Sequence, residues 1–268
     1  MDYEALNGPK MTEKQIDAYL SRIGITVPVT LDLAGLTRLQ QAHLYTVPFE
    51  NLDIMAGRAL SLDHEALFDK IVIRRQGGVC AELNTAYNWL LYSLGFSVTS
   101  YNSRVAYPKP IQFRRHRVIG VRLPEGHYIT DVGTNLEYSR IPLRLETGVV
   151  QTDGAAEYRY VEHEFFGYLQ QQRRPGEDHW LPQIGFTLEP QIDLDFVTPL
   201  FFYEKHPGSN MSQFPRVSLY RPEGMTAVRD HTLWEERGGL VQSSRLFADW
   251  EEEKRFLRTV FQLDTSGL

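Results

Sequence analysis

Apolar residues recur at three- and four-residue steps in several stretches of the first ninety-odd residues, each closed by a stop signal. Thr12-Glu13-Lys14-Gln15 reads as a capping box opening a helix whose face carries Ile16, Tyr19, Leu20 and Ile23, with Gly24 after it. Leu33, Leu36, Leu39, Gln40, His43 and Leu44 repeat the period until Val47-Pro48, where proline stops it. Ser61-Leu62-Asp63-His64-Glu65 opens a third helix through Leu67 and Ile71. Leu83, Ala86, Tyr87, Leu90, Leu91 and Leu94 make a fourth that Gly95 can close in a left-handed conformation. Residues 1–95 are therefore expected to form a helical bundle.

After Gly95 the texture changes to short β-rich runs at 96–101, 116–123, 128–132 and 158–165, separated by Pro, Gly and Asn. A small sheet or barrel is expected over about 96–190. Residues 170–182 are polar and read as a loop linking sub-domains. Beyond Pro190 come further short strands at 217–220 and 225–232. A final helix is expected at about 243–261, its face carrying Leu246, Phe247, Trp250, Phe256, Leu257 and Val260. No internal repeat or low-complexity segment interrupts this order.

Composition narrows the function classes. A chain of 268 residues with 42% apolar residues can fill a sizeable core. The single cysteine excludes an internal disulfide and a cysteine-rich zinc site, which points to a reducing compartment. The first residues show neither the basic start nor the apolar run of a signal peptide, and no run reaches membrane-spanning length, so a cytoplasmic protein is expected. A net charge of −6 argues against nucleic acid as the main partner. His-Glu-x-x-His, the phosphate loop and the dinucleotide fingerprint are all missing, so no metal is expected.

The lone cysteine stands at an informative place. Cys80 follows the pair Gly77-Gly78 at or within a turn of the fourth helix's start, where unpaired N–H groups and the helix dipole favour a thiolate. The glycines let a substrate approach the sulfur. A small buried hydrophobe is the alternative use of a single Cys. A thiolate nucleophile needs a base, and the base needs a third group to hold its ring. His116 leads the run Val118-Ile119-Gly120-Val121, and Asp131 ends the run Tyr128-Ile129-Thr130. If these runs pair across Pro124-Glu125-Gly126-His127, the two side chains meet at one end of a hairpin. Asp131 can also be read as a strand-end turn residue. His43, His64, His127, His163, His179 and His231 have no partner arguable from sequence and read as surface or packing residues.

Taken together, Val47-Pro48-Phe49-Glu50-Asn51-Leu52, Gly77 to Asn84, His116 at a strand start and Asp131-Val132-Gly133 resemble the arylamine N-acetyltransferase family. Weaker echoes follow in Pro142-Leu143, Phe186 to Pro190 and His206 to Ser209, and the likeness runs from near residue 12 to the last helix. The resemblance implies an α+β architecture with a cysteine-protease-like catalytic core. Its parts would be an N-terminal helical bundle (1–95), a central β-barrel (96–190) and a C-terminal α/β lid (191–268). It also implies a ping-pong transfer of acetyl from acetyl-CoA, through S-acetyl Cys80, to an arylamine or arylhydrazine, a chemistry of xenobiotic metabolism. Cys80 would be the nucleophile, His116 the proton acceptor, Asp131 the group fixing the imidazole, and Phe49 a wall of the acceptor pocket. Backbone N–H groups near Cys80 would stabilise the oxyanion. Arg114 and Arg115, with the turn Gly133-Thr134-Asn135, are expected phosphate contacts for CoA.

The chain departs from the family pattern at identifiable points. Many members carry Arg-Gly-Gly where this chain has Gln76-Gly77-Gly78, so an ion pair to Glu50 would be absent or rebuilt through Arg74 or Arg75. Thr134-Asn135 replace a usual Phe-Gly, and Val79 and Ala81 are small. The same scaffold resembles amide synthases that close macrocycles, and a cysteine hydrolase or transglutaminase relative would share the three groups but pass the acyl to water or lysine.

Overall fold

In the computed structural model, which describes residues 3–106, 111–136, 138–237 and 240–268, the N-terminal part is helical. The helices are Tyr3–Asn7 (α1), Glu13–Arg22 (α2), Leu33–Thr46 (α3), Leu52–Met55 (α4), His64–Phe68 (α5), which runs into a π-helical turn at Asp69–Ile73, and Cys80–Leu94 (α6). Side chains cap them as local chemistry dictates. Thr12 and Gln15 form the reciprocal capping box, and Asp32 and Asp63 accept from Gly35 N (2.8 Å) and Ala66 N (2.9 Å), each cap contributing about 1 kcal/mol. α3 stops where Val47 turns extended before Pro48, and α6 ends at Gly95 with φ +107°.

α6 is the central helix. Every residue from Cys80 to Leu91 is buried, including the polar ones between the periodic apolar positions. Those polar residues are partnered, as burial demands: Glu82 with Lys70, Asn84 and Thr85 with strand residues, and Asn88 with Asn7. Arg117 is fully buried as well, bonded to Thr85, Ser100 and Asp193.

The strands Ser97–Val105 (β1), Arg114–Leu123 (β2), Gly126–Thr130 (β3), Leu143–Arg144 (β4), Gln151–Thr152 (β5), Glu157–His163 (β6), Gly167–Arg173 (β7) and Leu181–Phe186 (β8) form one sheet ordered β4-β3-β2-β1-β8-β7-β6-β5. The sheet curls into a nearly closed barrel. Its two end strands meet through Gln151, whose amide bonds both the N–H (2.7 Å) and the carbonyl (2.9 Å) of Arg144.

The polar stretch 170–182, read above as a linking loop, is instead the end of β7, a turn and the start of β8. Gln170 and Gln172 are interior groups. Tyr160 Oη donates to Gln170, Gln170 to Gln183 (2.8 Å), Gln183 to Gln172 (2.9 Å) and Gln172 to Tyr158 Oη. A satisfied amide chain replaces the apolar alternation that marks most half-buried strands.

The C-terminal part begins with a 3₁₀ turn, Asp193–Phe196, and a helix, Val197–Lys205 (α7). A four-stranded antiparallel sheet follows, built from Arg216–Arg221 (β9), Gly224–Arg229 (β10), Thr232–Arg237 (β11) and Leu240–Leu246 (β12), and then Trp250–Val260 (α8). The strand expected at 225–232 is broken by a turn at Asp230-His231, both at positive φ. The last helix does not begin near residue 243. Residues 243–246 pair with β11, Leu246 is exposed, and Asp249 caps α8 by accepting from Glu252 N at 2.8 Å.

The C-terminal sheet shares a core with the helices. Tyr203, Tyr220, Met225 and Ala227 pack in one apolar cluster with Leu83, Tyr87 and Val132, and Phe49 exchanges two backbone hydrogen bonds of 2.9 Å with Ser218. Five histidines without a sequence-arguable partner have one in the fold: His43 with Tyr19 (3.0 Å), His64 with Asp193 (2.9 Å), His127 with Tyr101 (3.5 Å), His163 with Phe165 N (3.1 Å) and His231 with Glu253 (2.6 Å). Among the described residues, no helix is long and apolar enough to cross a membrane.

Candidate active site

Cys80 is the first residue of α6, 8% exposed, and its helix start is braced by charge. The Glu82 carboxylate accepts from Val79 N (3.1 Å) and from the buried Lys70 ammonium (2.9 Å). Lys70 also meets Asp53 at 2.7 Å and stands 3.8 Å from Glu50. Burial alone would lower the Lys70 pKa, yet the surrounding Glu82, Glu50 and Asp53 carboxylates raise it on balance. Burial pushes Glu50 up. The ion pair to Glu50, expected to be absent or rebuilt through Arg74 or Arg75, is instead made by Lys70: Arg74 pairs with Asp69 at the surface, and the Arg75 carbonyl accepts from Arg22.

The β2–β3 hairpin delivers the other two groups. Ile119 pairs with Thr130 across a turn at Pro124-Glu125, so Asp131, just past β3, comes alongside the His116 end of β2. His116 Nε2 and Asp131 Oδ2 are 2.5 Å apart. Asp131 Oδ1 accepts from Asn84 Nδ2 (2.7 Å) and Gly133 N (2.9 Å). Asn84 lies one helical turn beyond Cys80 and also bonds Arg117 O (2.8 Å) and Val132 N (3.0 Å), pinning the strand and the following loop to α6. Burial disfavours a charged His116 ring, but the Asp131 carboxylate, and to a smaller extent the Cys80 sulfur, outweigh it and raise its pKa to about 10. The Asp131 carboxylate thus favours the protonated ring.

A β-bulge sets the direction of the neighbouring arginines. β1 and β2 shift register between Ser103 and Arg104, whose partners are His116 and Arg114, leaving Arg115 unpaired. Arg115 turns its guanidinium over the Phe113 and Tyr203 rings, and its carbonyl lies 3.9 Å from Cys80 Sγ. Arg114 turns the other way, to Asn102 O and Thr187 Oγ1.

Cys80 and His116 open onto a cavity of about 540 Å³. Of the residues singled out from sequence, Phe49, Arg115, Gly133, Thr134 and Asn135 also line it, and Arg114 does not. Asp131 stands behind His116, and Thr134 is tied through its hydroxyl to Tyr220 Oη at 2.8 Å. Sequence reasoning missed Tyr138, Phe202, Tyr203, Arg216 and Arg229, which complete the wall. Phe202 and Tyr203 lie just ahead of the His206 to Ser209 echo, the one nearby signal. Nothing local marks the two arginines, because they enter on strands of the distant C-terminal sheet.

Comparisons with known proteins place the chain in a family. A family model described as N-acetyltransferase matches residues 32–267. An arylamine N-acetyltransferase of Mycolicibacterium smegmatis is 34% identical over 237 residues, covering 86% of this chain and 85% of the relative. Human arylamine N-acetyltransferase 1 is 30% identical, with 92% and 93% covered. Among solved structures, the arylamine N-acetyltransferase from Salmonella typhimurium superposes with a TM-score of 0.87 at 28% identity, over 94% of this chain and 92% of that one. The Mycobacterium marinum enzyme in complex with CoA does so with a TM-score of 0.84 at 29% identity, over 92% of each chain.

Proposed function

The chain belongs to the arylamine N-acetyltransferase family and is an enzyme, and from that premise we propose that it carries acetyl from acetyl-CoA to the nitrogen of an arylamine or arylhydrazine through an S-acetyl Cys80. The observation that carries this reading is that Cys80 and His116 line one aromatic-walled cavity while His116 Nε2 meets Asp131 Oδ2 at 2.5 Å behind it.

In the first step the Cys80 thiolate attacks the thioester carbonyl carbon. The tetrahedral intermediate collapses by breaking the bond to the CoA sulfur, and His116 gives that sulfur its proton. In the second step the acceptor nitrogen attacks the S-acetyl carbon while the now neutral His116 removes the nitrogen's proton. Release of the amide regenerates thiolate and imidazolium. Asp131 fixes the ring and stabilises its charged form. Phe49, Tyr138 and Phe202 give the acceptor's aromatic ring flat apolar surfaces.

CoA brings phosphates, and the wall has groups that suit them. Arg115, Arg216 and Arg229 line the cavity, and each has a buried Nε with no partner among the described residues. With the Gly133–Asn135 turn, these are the residues that would hold the phosphates. Arg114 is not among them, since it faces Asn102 and Thr187.

Intact-protein mass spectrometry after mixing with acetyl-CoA tests the reading. A gain of one acetyl group is expected, located on Cys80, lost on adding an arylamine as the N-acetyl product forms, and missing from Cys80→Ser. No adduct on the wild-type protein, or an adduct that survives in Cys80→Ser, sinks it.

A further inference from the structure

Besides the neighbours supplied by β2, the Cys80 sulfur has one from the C-terminal part of the chain. Tyr203, on α7, is 5% exposed and holds its Oη 3.9 Å from Cys80 Sγ. The ring is fixed on several sides. Phe202 meets it edge-on at 6.3 Å, and the Arg115 guanidinium lies over it at 5.4 Å. Ser209 Oγ donates to the Tyr203 carbonyl at 3.0 Å, tying down the end of α7. Burial and then the Cys80 sulfur hold the phenol's pKa well above its usual value, against the opposing pull of Arg115. The hydroxyl therefore keeps its proton throughout the working range, and beside an anion it acts as a donor.

The geometry points to Tyr203 as a further catalytic residue, whose O–H donates to the Cys80 sulfur at rest and to the acyl oxygen as that oxygen gathers charge. The inference rests on the S-acetyl reading above. A separation of 3.9 Å is long for a contact to sulfur, and an oxygen on the carbon newly bonded to that sulfur can project further toward α7, so the donor is better used in the intermediate than at rest. No bond to Tyr203 is made or broken. Its proton stays on Oη, and the gain is electrostatic. The backbone N–H groups at the start of α6 can share the load.

Tyr203→Phe tests this, because it keeps the ring, its Phe202 contact and the Arg115 stacking while deleting the O–H and, with it, the hydrogen bond from Arg115. The probe is 4-nitrophenyl acetate, an acyl donor without a CoA moiety, followed by the burst of nitrophenolate. The variant is expected to acylate roughly 10- to 100-fold more slowly than wild type. Its Cys80 is also expected to require higher pH for alkylation by iodoacetamide, a change that a packing role would not produce. Either an acylation rate within about two-fold of wild type or an unmoved alkylation profile overturns the assignment. Should Tyr203→Phe fail to fold, Tyr203→Met, which also lacks a donor, carries the same two expectations. A wild-type burst with an unimpaired variant defeats the tyrosine's role alone. A wild-type protein without a burst, or a burst that persists in Cys80→Ser, defeats the S-acyl reading and the tyrosine with it.

Discussion

Asp131 is held so that only one of its oxygens is free to face the imidazole. Asn84 and the Gly133 N–H occupy Oδ1, leaving Oδ2 for His116 Nε2. In Asp131→Asn the same two donors would keep the amide oxygen on their side and turn the amide NH₂ toward the ring, which must then offer a lone pair there and carry its hydrogen toward the sulfur. Acylation of Cys80 is expected to slow by about 10²- to 10⁴-fold, with the fold kept, the His116 pKa returned toward its ordinary value, and the thermal midpoint at neutral pH lowered as the Asp131 contribution to His116 proton binding is lost. Burst kinetics and a pH series of NMR spectra read both, and wild-type turnover would remove Asp131 from the mechanism. Cys80, His116 and Asp131, which the fold brings together, are legible because each stands at a boundary that local sequence marks: a glycine pair before a helix, or the end of an alternating run. Lys70 was not. The partner of Glu50 was sought among arginines beside the glycine pair, whereas the cation comes from the π-helical turn after α5, where an extra residue per turn rotates Lys70 into the interior.

At the scale of elements, the site is α6 pressed against the loop that follows β3, and Gly133 is where they touch. A Cβ there would lie 2.7 Å from Asn84 Nδ2 and 2.8 Å from both Cys80 Cα and Cys80 O, so backbone would have to move. Gly133→Ala is accordingly expected to destabilise the protein by about 1–3 kcal/mol and to lift Asp131 away from Asn84, slowing acylation by at least roughly ten-fold. Urea denaturation and the nitrophenolate burst measure the two effects, and a variant equal to wild type in both would mean that the loop is not seated on the helix. Helices with caps and stops were readable because the interactions that end them lie within a few residues. β7 and β8 were hidden for the opposite reason: Gln170 and Gln172 count as buried only once Gln183, Tyr158 and Tyr160 arrive to satisfy them. The final helix begins later than its apolar period predicts because Leu246 fits that period while pairing with β11 claims it for a strand.

Across the whole molecule, buried and half-buried histidines make stability depend on pH in opposite senses. His116, raised to about 10 chiefly by Asp131 against the cost of burial, binds its proton more tightly folded than unfolded. Its contribution is complete below the unfolded value of about 6.5 and is lost as pH rises through about 10. His43 in α3 and His127 in β3 are lowered to about 3 and about 4, by burial first and then by Arg22 and Arg122 respectively. They are neutral in the fold and take up protons on unfolding, so stability falls as pH drops from about 6.5 toward those values. The urea midpoint is therefore expected to be highest near neutrality and to decline on both sides. The two limbs separate by mutation: His116→Gln should flatten the alkaline limb, and His43→Gln, whose amide can still meet the Tyr19 hydroxyl, should flatten part of the acid limb. Superimposable alkaline limbs for wild type and His116→Gln would show that the ring carries no extra proton affinity in the fold, which would also remove the imidazolium from the resting site. A thiolate would then have no charged partner at Cys80, and the catalytic reading and the stability curve would fail together.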